Sequence, residues 1–179
     1  MRKNIITIFV FITLFFSISR YCQAETIKFL VENSPYYISG NLIIKQGQVL
    51  AAEPGVVIEM AANAAIIIDG KIYISGYPKG GEVIFKAARP FQNYHKGYWQ
   101  GIIINSNQEN IIKYTVIQHA KTGIEIKPKA CVNITDNIIT QNKIGIIARE
   151  ADKLSIVRNS FLTNFSDIVL EQTKGIIEN

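Results

Sequence analysis

The sequence holds little of what most catalytic and metal centres are built from. Two histidines, two cysteines and one tryptophan are spread over 179 residues. Aspartate is limited to Asp69, Asp136, Asp152 and Asp167. His95 and His119 lie far apart, and a metal site needs its His, Cys or carboxylate ligands clustered, so neither a metal nor a cofactor is expected. There is no phosphate-binding glycine motif and no nucleophile elbow. No segment has the spacing and length of a good amphipathic helix, which argues against an α-helical fold. Disorder is excluded as well, because 48% of the chain is hydrophobic, with Ile dominant.

Charge is also scarcer than it first looks. The whole chain carries +5, but Arg2 and Lys3 precede a nearly unbroken apolar stretch, Ile5 to Phe16. Cys22-Gln23-Ala24 follows and ends in a small residue. This is the pattern of a signal peptide over residues 1–24, with the mature domain at 25–179. An uncleaved anchor is the rival, although the apolar stretch is short for a span of ~20 residues. The bulky Ser19-Arg20-Tyr21 before Cys22 does not fit a lipobox. Cleavage leaves 16 basic residues against 14 acidic ones. The basicity is therefore largely an export signal, and no nucleic-acid partner is expected. No stable membrane span is expected after cleavage. Cys131 remains without a disulfide partner, so packing must hold the fold.

What the sequence does have is a repeat. Ile112 to Ile126, Ile134 to Ala148 and Ile156 to Leu170 align without gaps at an offset of 22 residues. Ile112, Ile134 and Ile156 form one apolar column. Ile117, Ile139 and Phe161 form a second, and Ile124, Ile146 and Ile168 a third. Polar columns accompany them: Thr115 with Asn137 and Asn159, and Asn142 with Asn164. Gly101, Gly123 and Gly145 align, with Asp167 replacing a turn glycine in the last coil. This period is too short for two helices. It suits short strands joined by tight turns, each coil stacking on the next at ~4.8 Å. Asparagine fits such turns because it tolerates left-handed backbone, and stacked asparagines can bond along a ladder. The regular pattern of leucine-rich repeats is missing, as are the hexapeptides of a left-handed β-helix. Earlier in the chain, Gly40 to Ile44, Val49 to Ala52, Val56 to Met60, Ala65 to Ile68 and Lys71 to Ile74 read as short strands. The expected fold is all-β, a single-stranded right-handed parallel β-helix.

Several runs carry a family resemblance: Ser34 to Leu50, Glu53-Pro-Gly-Val-Val-Ile58, Ile68 to Gly76, and Trp99-Gln-Gly-Ile102. Together, over roughly residues 34 to 170, they resemble bacterial right-handed β-helix proteins of the pectate-lyase-like and NosD-like group of carbohydrate-binding and sugar-hydrolase repeats. The resemblance implies an exported, periplasmic or secreted protein. It is unspecific for activity, since the group spans lyases, hydrolases, epimerases, adhesins and non-catalytic envelope proteins. Its lyases use clustered Asp with Ca²⁺ beside Arg or Lys, and its hydrolases use two or three Asp on neighbouring coils. NosD-like proteins imply a role in copper-enzyme maturation, which the lack of a ligand cluster argues against.

Against that background no catalytic residue is nominated. Asp136 with Arg158 one coil later is the best candidate for a polysaccharide lyase or hydrolase, and reads more simply as a cross-strand ion pair. Lys127, Arg149 and Glu171, with Asn105, read as a solvated outward column. His119 reads as an ordinary outward or turn residue. The segment 86–99 is rich in bases and aromatics. It offers Arg89, Phe91, Tyr94, His95, Lys96 and Tyr98 as a possible ligand-binding surface, or else a surface loop with Trp99 packed back on the core. Glu25 to Tyr37 could cap the N-terminal end. At the other end Val132, Leu154 and Ile176 run as first apolar positions, so a further coil begins there and has no cap. The functional expectation is a non-catalytic module that binds or scaffolds protein or glycan, with that open end as a candidate contact for a protein partner or another copy.

Overall fold

The computed structural model describes residues 24–88 and 96–179. Each coil gives one short strand to each of three parallel sheets. The first sheet takes β1 (Glu25–Phe29), β4 (Gln48–Ala52), β7 (Lys71–Ser75), β10 (Glu109–Lys113), β13 (Cys131–Thr135), β16 (Lys153–Val157) and β19 (Gly175–Glu178). The second takes β2 (Tyr36–Ile38), β5 (Val57–Met60), β8 (Val83–Ala87), β11 (Thr115–Gln118), β14 (Ile138–Thr140) and β17 (Ser160–Leu162). The third takes β3 (Leu42–Ile44), β6 (Ala65–Ile68), β9 (Gly101–Ile104), β12 (Thr122–Ile126), β15 (Ile144–Arg149) and β18 (Ser166–Glu171). This is a parallel β-helix.

The apolar columns are the core. Ile112 pairs with Ile134 and Ile134 with Ile156, while Ile117, Ile139 and Phe161 stack in the second sheet. Ile124, Ile146 and Ile168 do so in the third. Most of these side chains are fully buried, each contributing ~1.5–3 kcal/mol. The third coil departs from the common length. Residues 76–82 leave it between β7 and β8, and β9 still pairs with β6 at Ile66↔Ile102. Trp99 precedes β9 and bridges to Ala120. It is fully buried, and its indole Nε1 donates to the Gln118 carbonyl at 2.9 Å.

Four expectations need correcting. Glu25 to Tyr37 is no separate cap: β1 and β2, with a 3-10 turn at Val31–Asn33 between them, belong to the first coil and pair with β4 and β5. The glycine column does not mark turns. Gly123 and Gly145 lie inside β12 and β15, where a Cβ would come within 2.6 Å of the Gly145 carbonyl and 2.5 Å of the Asp167 carbonyl. Asparagine is not the left-handed residue of the corners. That backbone falls one position earlier, at Tyr114, Asp136 and Arg158 and at His119, Gln141 and Thr163. The last coil also slips: Gly175, not Ile176, lies beneath Leu154, and Ile177 continues beneath Ile156.

The asparagines instead turn inward and bond to backbone. At the first corner Asn137 Oδ1 accepts from Thr115, and Asn137 Nδ2 donates to the Ile112 carbonyl. Asn159 repeats both contacts one coil later, and Asn179 Oδ1 accepts from the Asn159 N–H at 2.9 Å. At the second corner Asn142 Oδ1 accepts from the Ala120 N–H, and Asn164 Oδ1 from the Asn142 N–H. These side chains satisfy corner groups that the sheet ladders cannot reach.

Candidate functional site

Because side chains alternate along a strand, the outer face of the first sheet displays every second residue in register. One row runs Glu109, Cys131, Lys153. Beside it runs Tyr73, Ile111, Asn133, Ser155, Ile176. The slip at Gly175 carries Lys174 into the next layer beside Lys153. Glu109, Cys131, Asn133, Lys153, Ser155 and Lys174 line a cleft of about 770 Å³, which Ile176 also borders. That volume is within the range of small-molecule and peptide sites.

The charged groups of the cleft are not paired with one another. Glu109, Lys153 and Lys174 are exposed and enter no ion pair with any described residue. Several charges elsewhere are paired within the fold. On the third sheet Glu125 holds Lys127 at 2.6 Å and Arg149 at 3.2 Å, and Arg149 also reaches Glu171 at 2.8 Å. The column read as a solvated face is thus an ion-pair network in part, with Asn105 Nδ2 donating to Asp69 instead. Inside the cleft, Asn133 Oδ1 is buried and has no hydrogen-bond donor among the described residues.

Asp136 and Arg158 sit apart from this cleft, at the first corner. Arg158 Nε and Nη2 each donate at 2.8 Å to the two oxygens of Asp136. The hydrogen bonds from Arg158 hold the Asp136 carboxyl below its usual range, more strongly than burial raises it. The pair joins left-handed corner residues of successive coils, not residues across a strand pair.

The basic, aromatic segment is placed only in part. Arg89, Phe91, Tyr94 and His95 lie outside the described residues. Lys96 Nζ stands 4.0 Å above the Phe165 ring, on the second corner. Tyr98 is half-buried against the core, and its N–H donates to the His119 carbonyl. His119 itself is at a turn but buried, with Nε2 2.7 Å from Gln141 Oε1, and burial lowers its pKa. The first-sheet cleft was missed in the sequence because its rows mix residue types. The signal was there in the same 22-residue offset, read one position off the apolar columns.

A family model described as "Periplasmic copper-binding protein (NosD)" matches residues 23–179. The chain belongs to this family, and its compartment is the periplasm. No curated protein and no solved structure matches it. No helix among the described residues is long and apolar enough to cross a membrane. The described residues do not fit copper. They contain no cluster of three or more His, Cys, Asp or Glu. Their soft donors are dispersed: Met60 is inside the core, His119 at the second corner, and Cys131 on the outer face of the first sheet.

Proposed function

We propose that this NosD-family chain is a non-catalytic periplasmic β-helix module that binds or scaffolds a protein or glycan partner on the outer face of its first sheet. The observation that carries this reading is the cleft, where amide, hydroxyl and ammonium groups stand in register beside a single carboxylate, Glu109. Glycoside hydrolysis needs two carboxylates across the scissile bond. The rival lyase reading would need Asp136 free to act, and both its oxygens are engaged by Arg158.

A second surface favours scaffolding through the end of the helix. Ile146, Ala148 and Ile156 are buried, whereas Leu170 and Ile177 beneath Ala148 and Ile156 are 39% and 38% exposed. A second copy stacking there would cover them and extend the three sheets. Sedimentation of the protein and of its Leu170→Lys variant tests that contact. Loss of a dimer in the variant is expected, and a strict monomer at high concentration would rule it out.

The decisive experiment for the main reading is a panel of uronic-acid and neutral polysaccharides with and without Ca²⁺, assayed for binding and for turnover. No product is expected from any of them. Turnover abolished by Asp136→Ala would replace this reading by the lyase one.

A further inference from the structure

The cleft has a polarity that the reading above does not use. Glu109 stands at one end, Cys131 in the next layer, then Lys153 and Lys174. Layers are ~4.8 Å apart, so the Glu109 position lies roughly 10 Å along the axis from that of Lys153 and roughly 14 Å from that of Lys174. An extended peptide advances ~3.3 Å per residue. Three to four residues therefore span the distance from Glu109 to the lysine pair.

Resting on the proposal that this cleft is the ligand site, we infer that its ligand is a short dipolar peptide of three or four residues. Its amine faces Glu109 and its carboxylate faces Lys153 and Lys174. A purely anionic chain would set a negative group against Glu109, and like charges at close range cost affinity. A peptide places opposite charges at both ends. Between them, Ser155 offers a hydroxyl to the ligand's amides. Asn133 carries an acceptor lacking a donor, which a peptide N–H would supply once its side chain turns outward. Ile176, 58% exposed, gives an apolar border for a side chain.

Cys131 sits mid-cleft and serves as the reporter. The experiment measures alkylation of Cys131 in the full chain, read on its own proteolytic peptide by mass, against added tri- and tetrapeptides. Free peptides are expected to slow alkylation. N-acetylation or C-amidation should each weaken protection about ten-fold or more, as for a lost hydrogen bond to a charged group. Glu109→Gln should abolish the sensitivity to acetylation alone. Lys153→Gln with Lys174→Gln should abolish the sensitivity to amidation alone, and Lys174→Arg should retain it. Protection indifferent to both end groups overturns the inference. Protection by acidic oligosaccharides but not by peptides overturns it while leaving the binding module intact. If neither protects Cys131 and neither binds, both readings fall.

Discussion

Asn137 Oδ1 accepts two hydrogen bonds from one residue of the preceding coil, the Thr115 N–H at 2.9 Å and the Thr115 hydroxyl at 2.8 Å. Its amide donates in turn to the Ile112 carbonyl at 3.0 Å and to Asn159 Oδ1 at 2.9 Å. One side chain thus ties three consecutive coils at a corner where the sheet hydrogen bonding lapses, and it is almost wholly buried.

Asn137→Ala strands at least two of these buried groups at about 1–3 kcal/mol each, so a loss on the order of 3 kcal/mol is expected. Asn164→Ala, at the half-exposed end of the second ladder, should cost less than half of that, because water can replace the amide. Urea denaturation of the two variants makes the comparison. Equal losses would mean that ladder position does not matter.

Gly145→Ala drives a methyl group to 2.5 Å from the Asp167 carbonyl oxygen, and the stacked backbone has nowhere to go. A destabilisation of about 1–3 kcal/mol should follow. Gly40→Ala, where a Cβ meets nothing within 4 Å, should stay within about 0.5 kcal/mol of the parent. Thermal unfolding of both variants side by side checks the close-approach argument. A neutral Gly145→Ala would refute it.

Burial holds the His119 pKa below the ordinary value of 6.5. The unfolded chain therefore takes up this proton first as pH falls. The contribution of the neutral ring is complete above the ordinary value and shrinks as pH drops from there through the folded-state value. Stability measured between pH 7.5 and 5 should decline less steeply in His119→Gln than in the parent. Parallel slopes would show that another group controls this range.

The dispersal of Met60, His119 and Cys131 predicts that copper leaves the fold untouched. Adding one equivalent of Cu(I) or Cu(II) should not move the melting temperature, since only a ligand that prefers the native state stabilises it. A rise of several degrees, with one metal retained per chain through desalting, would contradict the prediction.

Much of the architecture was legible because the core is one-dimensional. Ile112, Ile134 and Ile156 occupy the same place in successive layers, so a single offset exposes the stack, and the strand runs from Leu42 to Ser75 lie close to where turn residues placed them. The first coil was harder to see, since β1 and β2 meet their partners at offsets of 23 and 22 across a 3-10 turn. The slip of Gly175 under Leu154 was invisible for a different reason: Ile176 and Ile177 are both apolar, and only the pairing tells which one faces inward. The corner chemistry was half-read. The Asn columns were evident, but their work is done by inward side chains while Tyr114, Asp136 and Arg158 adopt the left-handed backbone. The cleft stayed hidden because recognition surfaces need no shared residue type from layer to layer. Glu109, Cys131 and Lys153 have only their spacing in common.

All three sheets direct their hydrogen bonds along the axis of the helix, and each coil is bonded only to its neighbours. Mechanical load applied at the two ends therefore does not fall on the whole molecule at once. It peels the outermost rung, where few bonds share the force, and then meets the next. For coils of 22 residues each release lengthens the chain by roughly 75 Å, so a force trace should show a train of small, evenly sized steps. The third coil, where the register Ile74↔Ile112 makes the offset 38 residues, should interrupt that train with one longer step.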